Sequence, residues 1–100
     1  MLAWIHKVFI RPLARNDIKK IWRYTFKHWG EKQADFYTTE LGYSIEALVD
    51  NPKLGNPIDH IREGYRLYHF QHHLVIYRLT QSTIDVVRIL SETMDTGRHL

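Results

Sequence analysis

Three features of this sequence predict an α+β fold. An alternating run near the N-terminus, with Ile5, Lys7, Phe9 and Arg11 between His6, Val8 and Ile10, marks a short strand over 5–11 that Pro12 ends. Two long segments of helical period follow, separated by little more than Gly30. Three runs rich in β-branched and aromatic residues then come in quick succession. The order is β-α-α-β-β-β, a helical hairpin packed on a mainly antiparallel four-stranded sheet. With 100 residues, 44% of them apolar and 13% aromatic, the chain supports one packed domain over 1–100.

The first helix begins where the period changes. Ala14, Ile18, Ile21, Trp22, Thr25 and Trp29 recur at steps of three and four and fall within one narrow arc. Arg15, Lys19, Lys20, Arg23 and Lys27 occupy the opposite side. Pro12 suits the first turn, Asp17 is placed near the positive end of the helix dipole, and Gly30 is a good terminator. The second helix runs over Glu31–Asp50 with an inner stripe of Ala34, Tyr37, Leu41, Ile45 and Leu48. Gly42 within it costs about 1 kcal/mol against alanine, which close backbone approach would explain. Phe36, Tyr43 and Ala47 form a second apolar stripe. They are expected to be core if the helix lies between helix one and the sheet, since buried helices are commonly apolar all round. The alternative is a docking groove for an amphipathic partner helix.

Residues 51–57 are rich in chain breakers and read as a connection. The strands that follow are Tyr65–Phe70, His73–Leu79 and Ile84–Leu90. The gaps between them, Gln71-His72 and Thr80 to Thr83, are hairpin lengths. Ser91 to Leu100 reads as a polar tail.

Charge is polarised along the chain. Residues 1–30 carry seven Lys or Arg against Asp17 alone, whereas residues 31–100 carry seven against ten acids, for a net +3. One end should favour acidic partners, either phosphates or an acidic protein segment. Cysteine is absent, so disulfides and thiolate metal sites are excluded, consistent with a reducing cytoplasm. Met1 to Phe9 is too interrupted to be a signal-peptide core, and no stretch approaches a membrane span.

Few enzyme chemistries find support. His69, His72 and His73 suggest a metal, but adjacent strand residues point to opposite faces, so convergence of all three is not expected. There is no G-x-S-x-G elbow and no glycine-rich phosphate loop. A metal-free ribonuclease is the stronger enzyme reading. Arg66, Arg78 and Arg88 lie on successive strands, with Glu92, His99 and several tyrosines near them in sequence. Those arginines need not share a sheet face. The basic side of helix one suits phosphates, although such a stripe is usually just a solvated face.

Particular residues say more than composition. Asp17-Ile18, Ile21, Tyr24-Thr25, Trp29-Gly30, Gln33-Ala34 and Tyr37 resemble the helical hairpin of ParE-type toxins of the RelE/ParE superfamily. Asn51-Pro52, Leu54-Gly55, Gly64-Tyr65-Arg66, His73 and Tyr77-Arg78 continue the likeness. Val87 to Leu90, Met94-Asp95 and Arg98-His99-Leu100 complete it over about residues 7–100. The chain departs from the pattern at Ser91-Glu92-Thr93, where many relatives carry a His-Gly-Arg-like stretch, and around Trp4.

The resemblance implies a RelE/ParE-like fold and a toxin without catalysis of its own. Such a toxin poisons DNA gyrase and is silenced by a cognate ParD-like antitoxin, and it meets operator DNA only through the toxin–antitoxin complex. No cofactor, metal or membrane is implied. Toxicity is assigned to the last strand and tail: Arg88, Met94, Asp95, Arg98 and His99. Their plainer reading is packing, with Met94 over the sheet end and Asp95 capping a turn. Antitoxin binding is assigned to Arg15, Lys19, Arg23 and Lys27, with Phe36 and Tyr43 as apolar contacts. The RelE branch cleaves messenger RNA on the ribosome and is the alternative, but no recognisable set of its catalytic residues occurs here.

Overall fold

The computed structural model describes residues 7–100; the first two residues of the expected strand, and Trp4, lie outside them. The elements are β1 (Lys7–Ile10), α1 (Pro12–Trp29), α2 (Glu31–Asp50), β2 (Asn56–Pro57), β3 (Tyr65–Phe70), β4 (His73–Leu79), β5 (Thr83–Ser91) and α3 (Thr96–His99). The sheet order is β1-β5-β4-β3-β2, with β1 parallel to β5 and the other pairs antiparallel. The sheet therefore has five strands among the described residues, where four were expected. The additional one lies in the connection that its prolines and Gly55 marked as loop. Asn56 and Pro57 pair with Leu67 and Arg66 at the sheet edge, where a residue lacking an N–H is tolerated.

α1 starts with Pro12 in its first turn and ends at Gly30, whose φ of 90° is open to glycine. Gly30 joins the two helices directly. Its N–H bonds to the Phe26 carbonyl at 2.9 Å, and its own carbonyl accepts from Ala34 at 3.1 Å. The hairpin that results lays Ala14, Ile21, Leu41, Ile45 and Leu48 against Val75, Tyr77, Ile84, Val86 and Ile89 of the sheet. A smaller core forms on the other face from Ile58, Tyr65, Ile76, Val87 and Leu90, with Leu100 of the C-terminal tail packed against it.

Three expectations fail on packing grounds. Asp17 does not sit in the first turn of α1 but is buried beside β5. Phe36, Tyr43 and Ala47 are not core: Phe36 is 61% and Tyr43 65% exposed, because α2 contacts the sheet and α1 along one side only. Gly42 is not a point of close approach, since a Cβ there would meet nothing within 4 Å. The tight glycine is Gly55. A Cβ there would lie 2.8 Å from the Tyr77 ring and 2.9 Å from the Leu67 carbonyl oxygen. Its N–H donates to the Tyr77 hydroxyl (2.9 Å), which in turn donates to the Pro52 carbonyl (2.7 Å).

These two glycines should respond oppositely to alanine. Gly42→Ala is expected to raise unfolding free energy by about 1 kcal/mol, and Gly55→Ala to lower it by about 1–3 kcal/mol. Urea denaturation of the two variants against the parent measures both.

Candidate functional site

A groove of about 940 Å³ lies between the helical hairpin and one end of the sheet. Ile21 and Tyr24 of α1, Phe36 and Tyr37 of α2, Phe70 at the end of β3 and Ile89 of β5 supply its apolar walls, and Met94 closes its rim. Four large apolar side chains that solvent reaches gather around it. Tyr24 is 58%, Trp29 65% and Met94 46% exposed, and each lines the groove along with Phe36. Aromatic contacts hold the walls in place: Tyr24 stacks on His28 at 4.1 Å, and Tyr37 meets Phe70 edge-on at 5.3 Å.

Polar groups at the floor are matched to one another. The Tyr37 hydroxyl and His73 Nδ1 are 2.7 Å apart, and the His72 N–H donates weakly to the same hydroxyl at 3.4 Å. Burial pushes the Tyr37 hydroxyl up. Burial, aided by neighbouring His72, also holds the His73 imidazole below its ordinary value against the pull of Glu92. Both groups are therefore uncharged at neutral pH, which suits an apolar groove. At the mouth, Glu92 bonds His72 Nδ1 at 2.8 Å and approaches His69 Nε2 at 3.3 Å. His72, and to a lesser degree His69, keep the Glu92 carboxyl below the usual range. These contacts, with the Glu92 N–H on the His72 carbonyl (3.0 Å), tie the tail to the β3–β4 turn. His73 alone turns to the helices, and among the described residues no group of three or more His, Asp or Glu is placed to hold a metal.

Behind the groove, Asp17 accepts Arg88 Nε at 2.8 Å, Arg88 Nη2 at 3.0 Å and the Ile89 backbone N–H at 3.0 Å. The hydrogen bonds to Asp17 raise the Arg88 guanidinium's pKa further. Arg88, assigned to toxicity on sequence, is thus an internal partner that also reaches the His99 carbonyl at 3.3 Å. Asp95 caps α3 by accepting the Gly97 N–H at 3.0 Å, while Arg98 and His99 stand exposed on that short helix, away from the groove. Of the five tail candidates only Met94 lines the groove.

The antitoxin candidates also divide. Arg15, Lys19, Arg23 and Lys27 are exposed as a stripe on α1, with Arg15 Nε bent back to the Ile10 carbonyl at 3.0 Å. Lys20, from the same side of the helix, reaches the groove wall. Phe36 is in the wall, whereas Tyr43 lies further along α2, outside the groove lining. Sequence reasoning missed Tyr24, Phe70 and His73 as groove residues. Their only sequence signal is an aromatic or histidine beside an otherwise complete core stripe.

The strand arginines do not converge. Register places Arg66 opposite Tyr77, facing the helices, and Arg78 opposite Tyr65 on the other face. Arg66 donates to the Gly55 carbonyl at 2.9 Å and the Lys53 carbonyl at 3.3 Å, and Arg78 Nε lies 3.5 Å from Asp85. What the helix side offers is a mainly apolar groove, with Lys20, Glu40 and Glu92 among its lining residues, flanked by a cationic helix. Such a surface is suited to burying an apolar polypeptide segment.

Comparison with known proteins gives this surface a family. The model for the ParE toxin of the type II toxin–antitoxin system parDE matches residues 8–96. The chain belongs to that family. It is 39% identical over 95 residues to Toxin ParE1 of Mycobacterium tuberculosis, covering 94% of this chain and 97% of the relative. Toxin ParE1 of Caulobacter vibrioides is 34% identical over 87 residues, covering 87% and 90%. A solved structure of the chromosomal ParDE system from P. aeruginosa superposes with a TM-score of 0.77 at 18% identity, over 87% of this chain and 96% of that one, and shares the fold. The chain is therefore the toxin half of a toxin–antitoxin pair.

Two measurements check the geometry of the site. Asp17→Ala leaves Arg88 and the Ile89 N–H without their acceptor and should cost about 3–5 kcal/mol. Adding Arg88→Met should recover part of that loss in a double-mutant cycle by urea denaturation. The second concerns His73. Because its folded value lies below the unfolded one, the unfolded chain takes up the proton first. Stability from this group is complete above about pH 6.5 and declines as pH falls below it. Melting temperature should drop between about pH 7.5 and 5.5, and His73→Phe should flatten the slope.

Proposed function

We propose that this toxin acts in the cytoplasm by binding DNA gyrase and stalling it, without bond chemistry of its own. A cognate ParD-like antitoxin silences it by laying an apolar face into the groove and acidic side chains against Arg23, Lys27 and Lys20 of α1. The observation that carries the antitoxin part is the groove itself. Tyr24, Trp29, Phe36 and Met94 are large apolar side chains left uncovered around one concavity, the arrangement expected of a helix-in-groove site. The gyrase part rests on family membership and on the sheet arginines. A ribonuclease of the RelE kind would need several cations around one scissile phosphate, but Arg66 faces the helices while Arg78 and Arg88 lie on the other face, held apart by Asp85 and Asp17. Exposed Met94, Asp95, Arg98 and His99 are the tail candidates available to touch the topoisomerase. Operator recognition is read as a property of the toxin–antitoxin complex.

Purified toxin with gyrase and plasmid DNA alone should block supercoiling or accumulate cleavage complexes, and antitoxin should reverse the effect. Phe36→Glu should weaken antitoxin binding about 30-fold or more while sparing inhibition of gyrase. Ribosome-dependent transcript cleavage, lost in Arg66→Ala or Arg88→Ala, with supercoiling untouched would establish the nuclease instead.

A further inference from the structure

The face of the sheet opposite the helices carries a cationic cluster for which antitoxin and gyrase binding supply no role. Alternation puts Lys7, Phe9 and Arg11 on one side of β1, while Val8 and Ile10 pack into the main core. β1 is an edge strand, and register sets Phe9 beside Asp85 on β5. Asp85 in turn pairs with Arg78 on β4, and Arg78 with Tyr65 on β3, so Phe9, Asp85, Arg78 and Tyr65 form one row across the sheet. Arg62 joins the row from the loop before β3, its guanidinium 5.7 Å from the centre of the Tyr65 ring. Three guanidinium groups from three segments thus meet at one place.

One carboxylate serves them. Asp85 takes Arg11 Nε at 3.0 Å and Nη2 at 2.8 Å, and lies 3.5 Å from Arg78 Nε. The remaining donors of both arginines are held in fixed forks. Arg62 forms no ion pair among the described residues, and Asp59 is occupied by the Gly64 N–H at 2.8 Å. Glu63 makes no ion pair with the cluster among the described residues. Three cations against one anion leave an excess of positive charge at the border of the second core, to which Tyr65 itself belongs. Burial alone would push the Tyr65 hydroxyl up, yet Arg62, Arg78 and Arg11 outweigh it and keep it below the usual tyrosine range. Beside Asp85 lies a shallow hollow of about 320 Å³ bordered by Lys7, Phe9, Thr80 and Thr83. It offers a further cation, two hydroxyls and an aromatic face that is 50% exposed.

From this we infer that the Arg11–Arg62–Arg78 cluster, with Tyr65 and the Phe9 hollow, is a binding site for the phosphate of a nucleotide, either free or within a single nucleic-acid strand. The guanidinium forks and the Tyr65 hydroxyl meet phosphate oxygens, and Phe9 provides a stacking surface for the base. Contacts to phosphate and stacking carry little sequence information, so operator choice stays with the antitoxin. The site lies across the sheet from the antitoxin groove and does not depend on the reading of that groove.

The test is a 1H–15N NMR titration of the full chain with AMP, with a single-stranded dodecanucleotide, and with a hexaglutamate peptide as an anion of different chemistry. Saturable shifts at the Arg62 and Arg78 side-chain N–H groups and at the Gly64 amide are expected with AMP or the oligonucleotide, whichever is the source. Response to the oligonucleotide alone identifies a strand, and response to both identifies the nucleotide unit. Arg62→Gln, which breaks no ion pair, should weaken the response about tenfold. Lys27→Gln on α1 should leave it unchanged. No saturable shift with either nucleotide probe, equal shifts with hexaglutamate, or an unaltered response in Arg62→Gln would overturn the assignment.

Discussion

The junction of α1 with β5 rests on one carboxylate. β1 accompanies β5 only as far as Val86, where the Arg11 N–H makes the last backbone contact before the chain turns into α1. Beyond that point the edge of β5 would be left open, and an open edge needs a partner for its N–H groups. Asp17 supplies it from the helix, accepting the Ile89 N–H. A buried carboxylate in turn requires a counter-charge, and the bulge between Ile76 and Tyr77 of β4 leaves Val87 without a register partner next to Arg88. The guanidinium then takes both Asp17 oxygens. Such a pair adds little net stability compared with apolar groups of the same size, but it permits only one seating of the helix. That seating puts Ile21 and Ile89 side by side and so shapes the back of the groove.

The same constraint explains what was legible in the sequence. Both helices and strands β3 and β4 were readable because their periods are long and uninterrupted, and Gly30 could be placed because a helix terminator acts through its own φ. Asp17 was misread because the dipole argument is local, whereas its true partners are more than seventy positions away at Arg88 and Ile89. A lone acid among seven cations was the available signal. The aromatic residues of α2 were misassigned for a related reason. Helical period identifies two stripes but not which neighbours exist to cover them, and α2 has a neighbour on one side only. Gly42 and Gly55 differ in the same way, since the space around a glycine is set by distant chain, here Tyr77 and Leu67. β2 was hidden because two residues with a proline carry no alternation to read.

The candidate site divides along the same line between local and distant information. The cationic stripe of α1 was visible because it belongs to one helix. The groove was not, because its walls come from α1, α2, the β3–β4 turn and the residues after β5, and only packing brings them together. Phe36 and Met94 both line the groove, yet no pattern in the sequence linked them to each other. Arg88 shows the converse: a charged residue on a strand looks unpaired until its distant partner, here Asp17, is known.

Placing partners on opposite sides of one thin sheet has a physical consequence. On the helix side the polar pair at the floor, Tyr37 with His73, is neutral, so the floor of the groove rewards apolar burial, while Lys20 in its wall leaves charge only to its edge. On the other side Asp85 immobilises two guanidinium groups without neutralising the third, so that face rewards charge. Asp85 and Val86 are neighbours on β5, one facing the cations and the other the main core. A strand fixed in register by Asp17 and the bulge therefore sets both surfaces at once. A polypeptide filling the groove and an anion on the far face need not compete for any side chain, and each would stabilise the register on which the other depends.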